Sequence, residues 1–357
     1  MADVQAPIQQ LLTLPPQMAL IFGDLEGHEL PEWFACSDPA GQPLGSGGGT
    51  SNLLAHAWRA TGSGVAFSEW LGQSRKLILH GGGQSRRLPA YAPTGKLLMP
   101  LPVFRWSRGQ RLDQSLLDLQ LPDYQRVLRH AGPRTAAMIT SGDVLLRFAP
   151  DLPPFPDVDV LGLGMWVPPE TARNFGVFFC PRQHPGELAF FLQKPAPSRI
   201  RELAGQYLAL VDTGMWLLSE RAVNVLMAAS GWDPAAGAFK SGRAGFYELY
   251  AQFGLGLGSS PTVSDPAIGA LSCAVVPLPA AEFYHFGTSA QMIESVSTLQ
   301  HLVVDGTQLG LTGALRQADQ VTQNSASARR SARMGIRPCG SKTAWCRRVG
   351  TWRRNTC

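Results

Sequence analysis

The sequence predicts an α/β fold with a mixed central sheet, because apolar segments of strand length alternate along the chain with helical segments. The clearest strands are Lys76–His80 and Thr135–Thr140, which are short, apolar and suited to burial in a sheet. Helices predicted over Asp113–Leu119 and Asp123–His130 lie between them, which gives βαβ organisation. The remaining predicted elements are strands at Val158–Leu163, Gly176–Cys180, Leu188–Leu192 and Tyr207–Leu218, and a helix over Ser219–Ala229.

The composition divides the chain into a folded part and an atypical end. Residues 1–44 are predicted as an N-terminal helical lead followed by a loop, and residues 45–300 as the α/β domain. Residues 325–357 contain Arg pairs and no acidic residue, which is poor material for a packed core. We expect a disordered basic tail that arises from a shifted reading frame or a misjudged chain end; a basic nucleic-acid-binding arm is the alternative.

The distribution of charge argues against nucleic-acid binding by the folded part. The net charge is +5, but residues 321–357 hold eight Arg and one Lys and contribute +9, so residues 1–320 carry −4. No apolar run approaches the roughly 20 residues that span a bilayer, and the first residues do not resemble a secretory signal. We therefore expect no nucleic-acid or membrane partner and a cytoplasmic location. The six cysteines lack the spacing of a zinc site or a disulfide framework.

The most informative segment is His80–Pro89, in which a strand ends in a glycine-rich loop with basic residues. Glycines allow the backbone to approach a ligand closely, and the guanidinium groups suit phosphate oxygens. The segment is neither a P-loop nor a dinucleotide fingerprint, because the residues that follow the glycines differ from both. An ordinary turn with solvated basic residues is the alternative. The predicted polyphosphate-binding residues are Gly81, Gly82, Gly83, Gln84, Ser85 and Arg86, with Arg87 and Lys96 as the catalytic cations.

A second glycine run, Gly45–Thr50, precedes a predicted helix over Asn52–Ala60. Free amides at the start of a helix can bind an anion or a nucleobase, so Gly45, Gly47 and Gly48 are predicted nucleotide-binding residues. A flexible surface turn is the alternative.

Asp143 follows the predicted strand that ends at Thr140, which places a carboxylate where α/β proteins gather their ligands. We predict that Asp143 binds a metal ion. A turn-forming aspartate after Gly142 is the alternative.

The loop after His80 resembles the signature loop of sugar-nucleotide pyrophosphorylases. Other segments make the resemblance more specific, to the fucose-1-phosphate guanylyltransferase (GDP-fucose pyrophosphorylase) family, and in particular to the N-terminal half of bifunctional fucokinase/fucose-1-phosphate guanylyltransferases. The resemblance covers roughly residues 30–324. The segments that carry it are Gly45–Gly48, His80–Pro89, Ser141–Asp143, Phe246–Tyr250 and Glu282–Ser289.

The resemblance implies a Rossmann-like (GT-A-like) nucleotidyltransferase domain. It also implies GTP and L-fucose-1-phosphate as substrates, GDP-L-fucose and pyrophosphate as products, and Mg²⁺ as cofactor. Residues 301–324 would begin a β-helical region that, like the kinase, is otherwise missing from this chain. Another sugar-1-phosphate substrate, or an inactive fragment of the bifunctional enzyme, is the alternative.

The resemblance further implies roles for individual residues. Arg87 and Lys96 would hold the triphosphate and stabilise the departing pyrophosphate. Lys194 would bind the sugar phosphate, although Gln193 stands where the family has Glu. Because Pro195 follows Lys194, we predict extended backbone at Lys194. The predicted sugar-binding residues are Asp212, Thr213, Gly214, Tyr284 and His285. A surface lysine is the alternative for Lys194, a strand-end aspartate before a turn for Asp212, and aromatic packing for Tyr284 and His285. Glu248 or Asp265 is a candidate second metal ligand.

Overall fold

The computed structural model describes residues 6–25, 27–28, 30–39, 41–62, 64–81, 87–101, 114–301, 320–323 and 339–342. The strands are β1 Ile8–Thr13, β2 Trp33–Cys36, β3 Arg75–His80, β4 Thr135–Ser141, β5 Val144–Arg147, β6 Val160–Met165, β7 Gly176–Pro181, β8 Phe190–Gln193, β9 Tyr207–Ser219, β10 Trp232–Asp233, β11 Ala238–Phe239, β12 Cys273–Pro277, β13 Glu282–His285, β14 Gln320–Gln323 and β15 Cys339–Lys342. The helices are α1 Pro16–Ile21, α2 Gly45–Thr61, α3 Phe67–Gln73, α4 Leu116–His130, α5 Pro169–Ala172, α6 Pro197–Leu203, α7 Glu220–Ala229, α8 Pro266–Gly269 and α9 Ser289–His301.

The central sheet of the described part has nine strands in the order β12-β6-β9-β4-β3-β1-β2, with β7 paired to β9 and β8 paired to β7. Strands β2, β1, β3 and β4 are mutually parallel, and β9 runs antiparallel to β4 and β6. The predicted mixed sheet and the predicted βαβ unit, here β3-α4-β4, are therefore confirmed.

Helices cover both faces of the sheet, as expected for strands with apolar residues on both sides. Ile78 of β3 belongs to a core cluster with Leu53 and Leu54 of α2. Leu77, the preceding residue, points to the other face and belongs to a cluster with Val127 of α4. Successive side chains of a strand alternate between faces, so one short apolar segment supplies both halves of the core.

The prediction that the first 30 residues are helical holds for α1, Pro16–Ile21, but is wrong for Ile8–Thr13. Residues Ile8–Thr13 form β1, which lies between β2 and β3, and both Leu11 and Leu12 are fully buried. An apolar run this short fits a strand or a buried helix by periodicity alone, and tertiary pairing decides the outcome. The sheet therefore starts at residue 8, inside the segment predicted as a separate lead over 1–44.

Two predicted helices also differ in their bounds. The segments predicted as two helices around Pro122 form the single helix α4, whose start is capped by Ser115 and Asp118 in a capping box. Packing of Val127 and Leu128 against the sheet holds the helix together beyond the proline. Helix α2 begins at Gly45, seven residues before the predicted start at Asn52, so the second glycine run is helical.

Strands β14 and β15 form a two-stranded sheet apart from the central sheet. Strand β15, which falls within the predicted disordered tail, pairs in parallel with β14; the rest of residues 302–357 lies outside the described residues. In the described part of the chain, no helix combines the length and apolar character needed to cross a bilayer.

Candidate active site

The ends of four parallel strands meet at one edge of the sheet, which we call the carboxyl edge. Thr13 of β1 pairs with Cys36 of β2 and with His80 of β3, and His80 pairs with Ser141 of β4. After β1 the chain continues to β2 on one side of the sheet, whereas after β3 it continues to β4 on the other side. The two connections therefore diverge between the neighbouring strands β1 and β3. Such a reversal opens a crevice at the carboxyl ends of the strands, where ligands of α/β proteins bind.

His80 fixes the end of β3 inside this crevice. Its Nε2 lies 2.8 Å from Thr50 Oγ1, and its Nδ1 lies 3.3 Å from Thr13 Oγ1. Thr50 donates its hydroxyl proton to Ser46 O, so Nε2 carries the imidazole proton and Nδ1 accepts. Burial lowers the pKa of His80 to about 4, so the ring is neutral at physiological pH. His80 therefore connects β3 to β1 and α2 without adding charge.

Backbone segments from β1, β3 and the turn after β4 lie close together at the start of the glycine-rich loop. Gly81 N donates to Thr13 O, and Gly142 N donates to His80 O. A Cβ on Gly142 would lie only 2.5 Å from His80 O, so this position requires glycine. The predicted residues Gly82, Gly83, Gln84, Ser85 and Arg86 lie outside the described residues. Arg87, where the description resumes, is exposed, and its carbonyl accepts a hydrogen bond from Ser289 N.

Lys96 and His285 converge on Asp143. Lys96 Nζ lies 2.7 Å from Asp143 Oδ2, and His285 Nε2 lies 3.6 Å from the same oxygen. Ser141 Oγ donates to Asp143 Oδ1, and Phe286 N donates to the Asp143 carbonyl. Burial alone would favour the neutral acid, but the contact with His285 and the charge of Lys96 lower the pKa of Asp143 well below its ordinary range. Asp143 is therefore a fixed carboxylate at the end of β4.

A bulge in β9 places the predicted Asp212–Gly214 segment beside β4. The register of β6 against β9 shifts between Gly162 and Gly164, and Gly214 has a φ of +79°. A Cβ on Gly214 would lie 3.2 Å from Ser141 Cβ, so the two segments are in contact.

The polar groups of this bulge are buried. Asp212 Oδ1 accepts hydrogen bonds from Gly214 N and Trp216 Nε1, and Thr213 Oγ1 donates to Leu163 O. Burial raises the pKa of Asp212 to about 7, although both hydrogen bonds favour the carboxylate. Asp212 is thus available as a hydrogen-bonding group, whereas the Thr213 hydroxyl is already used by the backbone.

Lys194 has an unusual backbone conformation. Its φ is +52°, so the extended geometry predicted from Pro195 is wrong. Left-handed backbone at a non-glycine residue is unfavourable and recurs at ligand sites. Lys194 N donates to Phe175 O, and the Phe175 ring contacts His285 with the ring centroids 5.8 Å apart. The exposed ammonium group therefore extends from a segment adjacent to the Asp143 cluster.

Sequence comparison now decides the family. The family model of the fucose pyrophosphorylase domain matches residues 68–246, half of the chain. The chain belongs to the fucose pyrophosphorylase domain family. It is 45% identical over 298 residues to the L-fucokinase/L-fucose-1-P guanylyltransferase of Bacteroides fragilis. The aligned region covers 84% of this chain but 31% of that protein. The chain therefore spans about a third of the length of this curated relative.

Two solved structures of HddC from Yersinia pseudotuberculosis, one complexed with GMP-PN, superpose with a TM-score of 0.36. The complex is 7% identical and the superposition covers 80% of this chain and 75% of HddC; the other structure is 8% identical, with 83% and 79% covered.

The matched fucose pyrophosphorylase segment contains Lys96, Asp143, Lys194 and Asp212, whereas β1, β2 and His285 lie outside it. The described part of the crevice is therefore built from both the matched segment and residues that flank it.

The geometry does not support the prediction that free backbone amides of the second glycine run, Gly45–Thr50, bind a nucleotide. Gly47 N and Gly48 N both donate to Tyr247 O, and Ser46 Oγ donates to Glu248 Oε2. A Cβ on Gly45 would lie 2.5 Å from Tyr247 O. The start of α2 is thus filled by the chain itself, and these glycines allow α2 to pack closely against Tyr247.

Three further candidates are engaged elsewhere. Neighbouring residues of β13 point to opposite faces, so Tyr284 points away from the side that His285 occupies. Tyr284 is buried with Leu88 and Met99, and its hydroxyl donates to Glu282 Oε2. Aromatic packing, the alternative for Tyr284, fits this environment. Glu248 is bonded to Ser46, and Asp265 caps α8. Within the described residues, no cluster of three or more His, Cys, Asp or Glu forms a metal site.

His80 and Asp38, which also lies at the carboxyl edge, have no role predicted from the sequence. The position of His80 directly before the glycines was the sequence feature that could have indicated its structural role at the end of β3. Asp38 could be placed only once β2 was recognised as a strand.

Proposed function

We propose that this chain transfers GMP from GTP to L-fucose-1-phosphate and releases pyrophosphate. Family membership supports the reaction class, and the 45% identity to a protein that is named as a guanylyltransferase supports the substrates. The single observation that carries the proposal is the Lys96–Asp143 pair, 2.7 Å apart, at the carboxyl edge beside the glycine-rich loop. This arrangement supplies a cation and a metal-binding carboxylate to a polyphosphate.

The chemistry requires positioning and charge stabilisation. An oxygen of the sugar phosphate attacks the α-phosphorus of GTP, a new P–O bond forms, and the bond to the β-phosphate breaks as pyrophosphate leaves with the electron pair. No general base is needed, because the attacking phosphate is already ionised. Lys96 and Arg87 neutralise the charge that develops on pyrophosphate.

Asp143 is the residue that would hold Mg²⁺. Mg²⁺ commonly takes one or two protein carboxylates and completes its coordination with water and substrate phosphates, so one fixed carboxylate suits it. When bound, the ion would neutralise charge on the phosphates. Lys96, which pairs with Asp143 in this structure, is long enough to turn towards a phosphate once the carboxylate has another partner.

The sugar phosphate is proposed to bind beside Asp143. Lys194 would bind the phosphate of L-fucose-1-phosphate, since its backbone is anchored to Phe175 next to His285. Asp212 and Gly214, which lie against Ser141, would contact the sugar together with His285. A cytoplasmic location stays a prediction from the sequence.

The proposal is tested by incubating the full chain and Mg²⁺ with pairs of nucleoside triphosphates and sugar-1-phosphates and measuring pyrophosphate release. We expect the highest turnover with GTP and L-fucose-1-phosphate. Turnover of another pair, with this pair silent, would refute the substrate assignment. No release from any pair by a chain that melts cooperatively would indicate an inactive fragment.

A further inference from the structure

Asp38 is a partly buried carboxylate for which the described residues supply no hydrogen-bond or ion-pair partner. Its Oδ1 is buried and has no hydrogen bond. Among the described residues, no hydrogen bond or ion pair to this side chain is found. A buried acceptor that loses water without gaining a donor destabilises the folded chain by about 1–3 kcal/mol. Burial accordingly raises the pKa of Asp38. Such a group is explained most simply by a ligand that supplies the donors.

The neighbours of Asp38 cannot satisfy it. A Cβ on Gly49 would lie 3.4 Å from Asp38 Oδ1 and 3.9 Å from His80 Cε1, so the carboxylate and the imidazole edge border the same space. Both nitrogens of His80 are already bonded, to Thr13 and Thr50. The carboxylate also raises the pKa of Cys36, after burial, to about 12, so the thiol stays neutral. The described residues thus leave Asp38 Oδ1 as an acceptor without a donor, close to α2 and to the end of β3.

The position of Asp38 relative to the end of β3 indicates which part of a nucleotide it would meet. Asp38 follows β2, and β2 is two strands away from β3, whose end leads into the glycine-rich loop. Two strand spacings are about 9.6 Å. That distance is comparable to the span from the phosphates of a nucleotide to the far edge of its base. A carboxylate would also repel the phosphates themselves.

We propose that Asp38 recognises the guanine of GTP by accepting hydrogen bonds from N1–H and from the exocyclic N2 amino group. This inference rests on the proposed function and assigns the residue that selects the base. Guanine presents two adjacent donors, which match the two oxygens of a carboxylate. Uracil and thymine present one donor between two carbonyls, and adenine and cytosine place a ring acceptor beside their amino group, so none of them matches.

Substitution of Asp38 by Asn provides a sharp test, because the amide has nearly the same shape but presents one acceptor and one donor. Xanthine has a carbonyl where guanine has its N2 amino group, so it complements the amide. We expect Asp38→Asn to weaken GTP binding and strengthen XTP binding, each by roughly 10- to 100-fold, and so to reverse the preference. Wild-type protein should bind ITP, which lacks the amino group, roughly 10-fold or more weaker than GTP.

The experiment measures equilibrium binding of GTP, ITP and XTP by calorimetry for the wild type, Asp38→Asn, Asp38→Ala and the exposed control Asp151→Asn. Asp38→Ala should lose GTP affinity without gaining XTP affinity, and Asp151→Asn should behave as the wild type. An unchanged GTP-to-XTP ratio in Asp38→Asn, or a wild type that does not distinguish GTP from ITP, would overturn the inference.

Pyrophosphate release, measured separately on the same samples, separates the two proposals. Selective GTP binding without turnover would leave the role of Asp38 in place and refute the proposed function. Turnover with GTP combined with an unchanged nucleotide preference in Asp38→Asn would refute the role of Asp38 alone.

Discussion

The two edges of the central sheet each carry an aspartate with cationic partners, but the two carboxylates differ in how completely the chain satisfies them. At the amino edge, where β4 and β6 begin, the side chain of Asp159 is 1% exposed and contacts Arg134 and Arg221. It also accepts hydrogen bonds from Ser219 Oγ and from both the amide and the hydroxyl of Ser272. Both oxygens are fully used, as expected of a structural carboxylate.

Asp143 at the carboxyl edge is 23% exposed and depends on long or mobile partners. Lys96 can rotate away, and the 3.6 Å separation from His285 is loose. A cavity of about 1370 Å³ lies at the amino edge, and Asp159 lines it. This cavity therefore lies away from the candidate site, because Asp143, Asp38 and Asp212 lie at the opposite edge or beside it.

The largest expected effect comes from removing the cation at the carboxyl edge. Lys96→Met should lower the turnover number by roughly 100- to 1000-fold, because one donor to the developing charge is lost. Stability should change by about 1 kcal/mol or less, since both partners are partly exposed. Steady-state pyrophosphate release and thermal melts measure the two effects. The exposed Lys240→Met is the matched control; equal losses in both variants would contradict the assignment.

Substitution of Asp212 should show that burial destabilises the ionised form of its side chain. Its pKa is about 7 in the folded chain, whereas an aspartate in an unfolded chain titrates near 3.9. Between these values the folded state holds one more proton, so the free energy of unfolding falls as pH rises and levels off above about pH 7. Asp212→Asn should remove this dependence and stabilise the chain by about 2–4 kcal/mol at pH 8.

The stability of Asp212→Asn is measured by urea unfolding at pH 4 and pH 8. Only a small difference from the wild type is expected at pH 4, because Asp212 is protonated in the folded chain at that pH and Asn carries no charge at any pH. A variant that is less stable than the wild type at pH 8 would show that the charged form is favoured by the fold.

Asp159→Asn tests the amino edge and should show the opposite pattern. The amide cannot accept every hydrogen bond that the carboxylate accepts, so unfolding should become easier by about 2–3 kcal/mol. The turnover number of the molecules that remain folded should be unchanged, because no proposed substrate contact lies there. Urea unfolding and pyrophosphate release check the two outcomes; a loss of turnover without a loss of stability would place function at this edge as well.

The sequence predicted the elements whose signals are local. The apolar run before His80, the glycines after it and the Ser141–Asp143 turn predicted β3, β4 and the candidate site between them. The prediction for the N-terminal segment was wrong because two glutamines interrupt the apolar pattern of β1 and only its neighbours in the sheet make it a strand.

The remaining errors concern backbone conformation and side-chain direction. Glycines normally weaken a helix, so the start of α2 at Gly45 follows from close packing against Tyr247 rather than from propensity. The left-handed backbone of Lys194 overrides the local preference set by Pro195. The opposite directions of Tyr284 and His285 could be assigned only with the pairing of β13 known.

The most direct test of the central claim, that the carboxyl edge is the catalytic edge, is pyrophosphate release from GTP and L-fucose-1-phosphate by Asp143→Asn. We predict a turnover number about 100- to 1000-fold below that of the wild type, with the thermal transition retained and with Asp151→Asn unaffected. Near-wild-type turnover by a folded Asp143→Asn protein would contradict the account.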